Sequence, residues 1–180
     1  MIYRVVAILA LIALSGCSTF VTPRYSISAD TNVALKSLNA SNIAVGTFVG
    51  PSNFDNSCRA AGPLAPPDNM SHTEYVKKAL EDELKVAGAF AQGQPRVTLS
   101  GNIMKLEFSS SRGLTGGSWA IDLTLTSSNG QSMTTSEYYE FQSGFIADTA
   151  CKQTAEAYMP AVQNLIGKVV RSPQFKSLVQ

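Results

Sequence analysis

Past residue 40 the hydrophobic and polar positions fall into two periods, and each period predicts an element. In NIAVGTFVG, Ile43, Val45, Thr47 and Val49 recur at every second position, the pattern of a strand with one buried face. Then the spacing turns helical. Val76, Ala79, Leu80, Leu84 and Ala87 form one stripe, with Lys77, Lys78, Glu81, Asp82 and Lys85 opposite. Ser71 and Glu74 make an S-x-x-E capping box, Met70 can staple onto Tyr75, and Gly88 fits just past the end, so a helix is expected over 72–87. Three alternating segments follow. Residues 97–108 send Val97, Leu99, Gly101 and Ile103 to one side, while Leu106 and Phe108 are one residue out of phase, which predicts a bulge near Met104 or Lys105. Residues 117–126 turn Trp119, Ile121, Leu123 and Leu125 inward; after the hairpin signal Asn129-Gly130, residues 131–141 return with Met133, Thr135, Tyr139 and Phe141.

A second helical stripe begins near Asp148 or Thr149 and runs through Cys151, Ala155, Tyr158, Val162, Leu165, Ile166 and Val169. Pro160 lies inside it and should kink or split the helix, and Pro173 should end it. Two stretches lack a period. Residues 50–69, GPSNFDNSCRAAGPLAPPDN, are too rich in Pro and Gly for regular structure. Residues 17–40 read as a tether with at most an edge strand around Tyr25 and Ile27, and SSSRGLTGGS reads as a flexible tip at 109–117. The element order β-α-β-β-β-α predicts an α+β two-layer sandwich: an antiparallel sheet of about four strands with two helices on one face.

Composition adds compartment and partner. Forty-four per cent of the 180 residues are hydrophobic, enough for a core. Only 15% are charged, against roughly 25% in average soluble proteins. Fourteen Lys and Arg face 13 Asp and Glu, and without Arg4 the two signs balance. A balanced surface argues against nucleic acid, which calls for a basic patch, and against electrostatic docking on anionic membranes.

The front of the chain carries the most specific signal. Arg4 precedes ten unbroken apolar residues, Val5 to Leu14, a run shorter than the ~20 needed to span a bilayer. Small residues and a cysteine follow. Leu14-Ser15-Gly16-Cys17 resembles the bacterial lipobox, in which the cysteine thiol receives a diacylglyceryl group and becomes the first mature residue. The other reading is an ordinary signal peptide with a chance cysteine. The lipobox resemblance implies a lipoprotein signal peptide over 1–16, a lipidated N-terminus and tether over 17–40, and a single periplasmic domain over 41–180. Ser18, where the inner-membrane sorting rule has Asp, implies a lipid anchor in the outer membrane, with the body facing the periplasm.

Export places the chain in an oxidising compartment, and once lipidation claims Cys17 an even pair remains, Cys58 and Cys151, for one disulfide. A metal site or a reactive thiol at Cys151 are the alternatives; two Cys and one His make a poor metal-ligand set. The lone histidine, His72, sits at the first helical position behind the cap, where an exposed polar residue is expected. No G-x-S-x-G elbow, phosphate loop or zinc-hydrolase spacing accompanies it. Glu137 and Glu140 alternate across a strand and read as solvated surface charges. No catalytic residue, cofactor or metal is therefore expected.

With NIAVGTF followed by YVKKALEDELKVAG, residues 42–170 resemble the opening of YajG-like and transport-auxiliary envelope lipoproteins. The resemblance implies strand, helix, β-meander and helix, and a role as an accessory part of an envelope assembly; the Pro-rich insertion and the cysteine pair lie outside it. The expected function is a non-catalytic binding or accessory module with an envelope protein or peptidoglycan as partner. Phe54 and Arg59 in the Pro-rich loop, Arg112 in the tip and Tyr138 on the polar strand face are the candidate binding surface. The alternative is a small-ligand or lipid carrier with Met104, Met133 and Met159 lining a pliable cavity.

Overall fold

A computed structural model describes residues 18–180; the expected signal segment 1–16 and Cys17 lie outside the described residues. In chain order the elements are β1 (Phe20–Val21), α1 (Ala29–Ser37), β2 (Ile43–Val49), β3 (Ser57–Cys58), β4 (Gly62–Ala65), a 3₁₀ turn (Pro67–Asn69), α2 (His72–Val86), β5 (Val97–Arg112), β6 (Gly116–Ser127), β7 (Ser132–Gln142), α3 (Ala147–Arg171) and α4 (Pro173–Val179). The main sheet has the order β2-β5-β6-β7. Its inner face, with Leu99, Ile103, Trp119, Ile121, Leu123 and Leu125, packs against the apolar stripes of α2 and α3, giving the α+β sandwich.

The sheet is mixed rather than wholly antiparallel. β2 runs parallel to β5, from Ile43 opposite Val97 to Val49 opposite Asn102, because α2 is a crossover helix that returns the chain in its original direction. The β5-β6-β7 meander is antiparallel, and its register breaks between Ile103 and Lys105, where the phase of the sequence demanded a bulge. α2 has the capping box in full: Ser71 Oγ accepts from the Glu74 N–H at 3.1 Å, and Glu74 Oε2 accepts from the Ser71 N–H at 2.7 Å.

Four expectations change. Residues 20–37 are docked rather than a free tether. Ser28 caps α1, Gln163 Nε2 donates to Ser26 O at 2.8 Å, and Tyr75 Oη donates to Pro23 O at 2.8 Å. Glu83 binds this segment most directly, accepting from Tyr25 Oη and the Ser28 N–H, both at 2.8 Å. The Pro-rich loop holds a small second sheet, β1-β4-β3. The tip shrinks to Gly113–Thr115, since Arg112 is already in register with Gly116. α3 passes Pro160 unbroken; the carbonyl of Glu156 that loses its partner lies on the exposed side of the helix, where water can bond it. Pro173 ends α3 but also opens α4, because Ser172 caps it and a proline suits the first helical position.

Candidate functional site

Gly50-Pro51 ends β2, and a proline has no N–H with which to continue a ladder. β5 runs on for ten residues beyond Asn102, its last partner in β2. Among the described residues, no backbone group pairs with β5 over 103–109 on that side. The Pro-rich loop stands off this open edge. Between them is a groove of about 590 Å³ lined by Pro51, Phe54, Asp55, Arg59 and β5 residues Met104 to Ser111. Such an edge is an array of unpaired donors and acceptors.

Beneath Phe54 and Phe108, which line the groove, lies a buried aromatic cluster. The Phe54 ring meets His72 edge-on at 4.8 Å between centroids, and Phe108 at 6.3 Å. His72 in turn meets Tyr158 at 5.0 Å, and the Trp119 ring lies tilted against Tyr158 with centroids 4.5 Å apart. Trp119 Nε1 donates to Thr154 O at 2.9 Å, and Tyr158 Oη donates to His72 O at 3.0 Å, so the polar ends of two buried rings are satisfied. His72 is therefore not the exposed residue its position suggested: it is 7% exposed, its Nε2 has no partner among the described residues, and burial lowers its pKa from 6.5 to about 4. The phase of α2 carries this signal, since His72 stands three and four residues before Tyr75 and Val76. Glu83 shares the stripe for the same reason; burial raises its carboxyl pKa, and the bonds from Ser28 and Tyr25 oppose that shift. Glu137, read as a surface charge, is in phase with Met133 and Tyr139. It is buried under α3, 2.7 Å from Lys168 Nζ.

One wall of the groove is held by a covalent bond and a strained turn. Cys58 and Cys151 are joined, their Cα atoms 5.8 Å apart. In this state Cys151 carries no thiol. The next two residues, Arg59 and Ala60, have φ of 46° and 54°, a left-handed conformation that side chains disfavour. It aims Arg59 across the groove's end. There the guanidinium donates to Ser110 Oγ at 2.9 Å, to Ser110 O, and to Phe145 O at 3.0 Å. Arg59 is thus a clamp between the loop, β5 and the segment after β7.

The candidate surface residues separate into two groups. Phe54 and Arg59 line the groove. Arg112 and Tyr138 lie on the outer sheet face, with the guanidinium carbon 5.3 Å from the Tyr138 ring centre and Arg112 paired to Glu140. The three methionines sit in different surroundings: Met104 is exposed at the bulge, Met133 is buried in β7, and Met159 is half-buried on α3. Among the described residues, no cluster of three or more His, Cys, Asp or Glu could share a metal, and no helix is long and apolar enough to cross a membrane.

The fold itself has precedent. It matches the crystal structure of protein XCC0632 from Xanthomonas campestris, DUF330, with a TM-score of 0.51 at 11% identity, over 89% of this chain and 98% of that one. A minor lipoprotein from Acinetobacter baumannii aligns with a TM-score of 0.45 at 12% identity, over 76% of this chain and 91% of that one. A Caulobacter crescentus chain aligns at 0.44 and 12% identity, over 79% and 90%. At these identities the likeness to the Xanthomonas protein concerns the fold alone. No family model and no curated protein matches the sequence.

Proposed function

We propose that this chain is an outer-membrane lipoprotein, anchored through Cys17 and facing the periplasm, whose body is a non-catalytic binding module for an extended segment of an envelope protein. Leu14-Ser15-Gly16-Cys17, at the end of the ten-residue apolar run Val5 to Leu14, carries the anchor. Intact mass of the protein extracted from membranes should give a chain that starts at Cys17 and bears diacylglycerol. Cys17→Ala should remain unprocessed and lose the lipid. A bare Cys17, or a cytosolic product, would sink the reading.

The open edge of β5 supports the binding role. Among the described residues the main-chain groups there lack partners, and an added strand supplies them without regard to side-chain identity, while the half-buried Phe54 and Phe108 offer apolar contact for alternate side chains. Peptidoglycan glycan lacks the alternating N–H and C=O groups of a strand, which favours the protein partner. A photo-crosslinking residue at Glu107, which lines the groove on β5, should give an adduct mapping to one extended segment of an envelope protein, whereas the same residue at Thr134, on β7 at the other side of the sheet, should not. Equal labelling from both positions, or an adduct to glycan, would count against strand addition.

A further inference from the structure

Three of the largest exposed apolar side chains stand at one end of the molecule. Leu114, in the β5-β6 turn, is 86% exposed; Phe145 and Ile146, between β7 and α3, are 84% and 69% exposed. The two segments touch, since the Ser143 N–H donates to Thr115 O at 2.9 Å. Isolated exposed hydrophobics are ordinary, but a cluster is a mark of contact with something apolar.

The position of the chain's front end says what that is. Ser18 places its carbonyl where a Cβ on Gly62 would be, and Gly62, with φ of 151°, tolerates the approach because it has none. Gly62 is in register with Cys58, and Arg59, the next residue, holds Phe145 O at 3.0 Å. Ser18 therefore leaves the body at the same end as Phe145. Cys17 is one residue further, a Cα step of about 3.8 Å. The far end is remote: β5 spans 16 residues from Val97 to Arg112, about 50 Å at ~3.3 Å per residue. Val86, exposed at the close of α2, lies at that far end, where Phe90 bridges Ile43 and Ile43 pairs with Val97.

We propose that Leu114, Phe145 and Ile146 form an apolar tip that rests in the interfacial layer of the anchoring bilayer, fixing the body upright with α2's C-terminal end away from the membrane. This rests on lipidation at Cys17. The lipid alone leaves orientation free; three side chains entering beside it remove that freedom. No anionic lipid is required, because Arg59 is engaged with Ser110 and Phe145 and Arg112 with Glu140.

The test uses the full lipidated protein in vesicles of phosphatidylethanolamine and phosphatidylglycerol brominated near the headgroup end of the acyl chains. Phe145→Trp and Val86→Trp are compared; the native Trp119 is buried and serves as a common background. Interfacial side chains reach ~5–10 Å into the headgroup and acyl boundary, so Phe145→Trp should be quenched about twofold more than Val86→Trp. Leu114→Ser/Ile146→Ser in the Phe145→Trp background should reduce that difference. Equal quenching with the protein still bound to vesicles overturns the tip and leaves the anchor standing. Failure of the protein to sediment with vesicles overturns the anchor and the tip together. Shielding of Phe145→Trp from acrylamide without vesicles, with a doubled mass in solution, overturns the tip in favour of a contact between copies.

Discussion

Reducing the Cys58–Cys151 bond should destabilise the protein by about 4 kcal/mol, because the bond joins residues 93 positions apart and the chain-entropy cost of closing a loop of ~100 residues is of that size. For a domain of this length the shift in Tm is on the order of 10 °C. The loss should be uneven. β3 has two residues and β4 four, too little ladder to hold on its own, and β1 is paired only to β4. The left-handed pair Arg59-Ala60 should relax as well, releasing the clamp on Ser110 and Phe145 and opening one wall of the groove. Thermal unfolding with and without reductant, and of Cys58→Ala/Cys151→Ala, measures the first effect. Hydrogen exchange over residues 56–65 measures the second. A shift in Tm below about 2 °C would mean that contacts around the loop, and not the covalent bond, fix its position.

Acidification should destabilise the protein through His72, and His72→Phe should remove that part of the response. The folded-state pKa is depressed from 6.5 to about 4 by burial. Between those values the unfolded chain binds a proton that the folded chain refuses. Stability from the neutral, buried ring is thus complete above about pH 6.5 and is lost as pH falls toward 4, by up to roughly 3 kcal/mol. Glu83 slopes the other way, since its carboxyl is raised by burial and its contribution fades as pH climbs through that raised value. Wild type alone would therefore show a sum; the comparison with His72→Phe isolates the imidazole. Phenylalanine keeps an aromatic ring against Phe54 and Tyr158 and brings no ring nitrogen. Urea unfolding at ~pH 7 and ~pH 4.5 should show the variant gaining on wild type by about 2 kcal/mol across the interval. Parallel behaviour would show that His72 is solvated in the folded protein.

Both predictions come from residues whose types were plain in the sequence and whose surroundings were not. Periodicity located α2, the meander, the bulge near Met104 and α3, because each depends on neighbours within a few positions. It could also have flagged His72, Glu83 and Glu137, which keep phase with their apolar stripes. For His72 and Glu137 the polar residue type pointed outward instead. The segment 20–37 has no such internal pattern: α1 has only Thr31 and Leu35 buried, and its place is set by Glu83 and Gln163, distant along the chain.

The sequence by itself determined β2, α2, the β5-β6-β7 meander, α3 and the two-layer architecture, since helical and strand periods are local; with Cys17 set aside as the expected lipid site, it also left one pairing for the other two cysteines. Only tertiary structure decided that β2 runs parallel, that among the described residues the β5 edge is open beside Pro51, that Arg59 braces the groove, and that Ser18 emerges at the same end of the body as Phe145. Each of these depends on which backbone groups and side chains meet across long separations in the chain, and a one-dimensional pattern carries no record of such meetings.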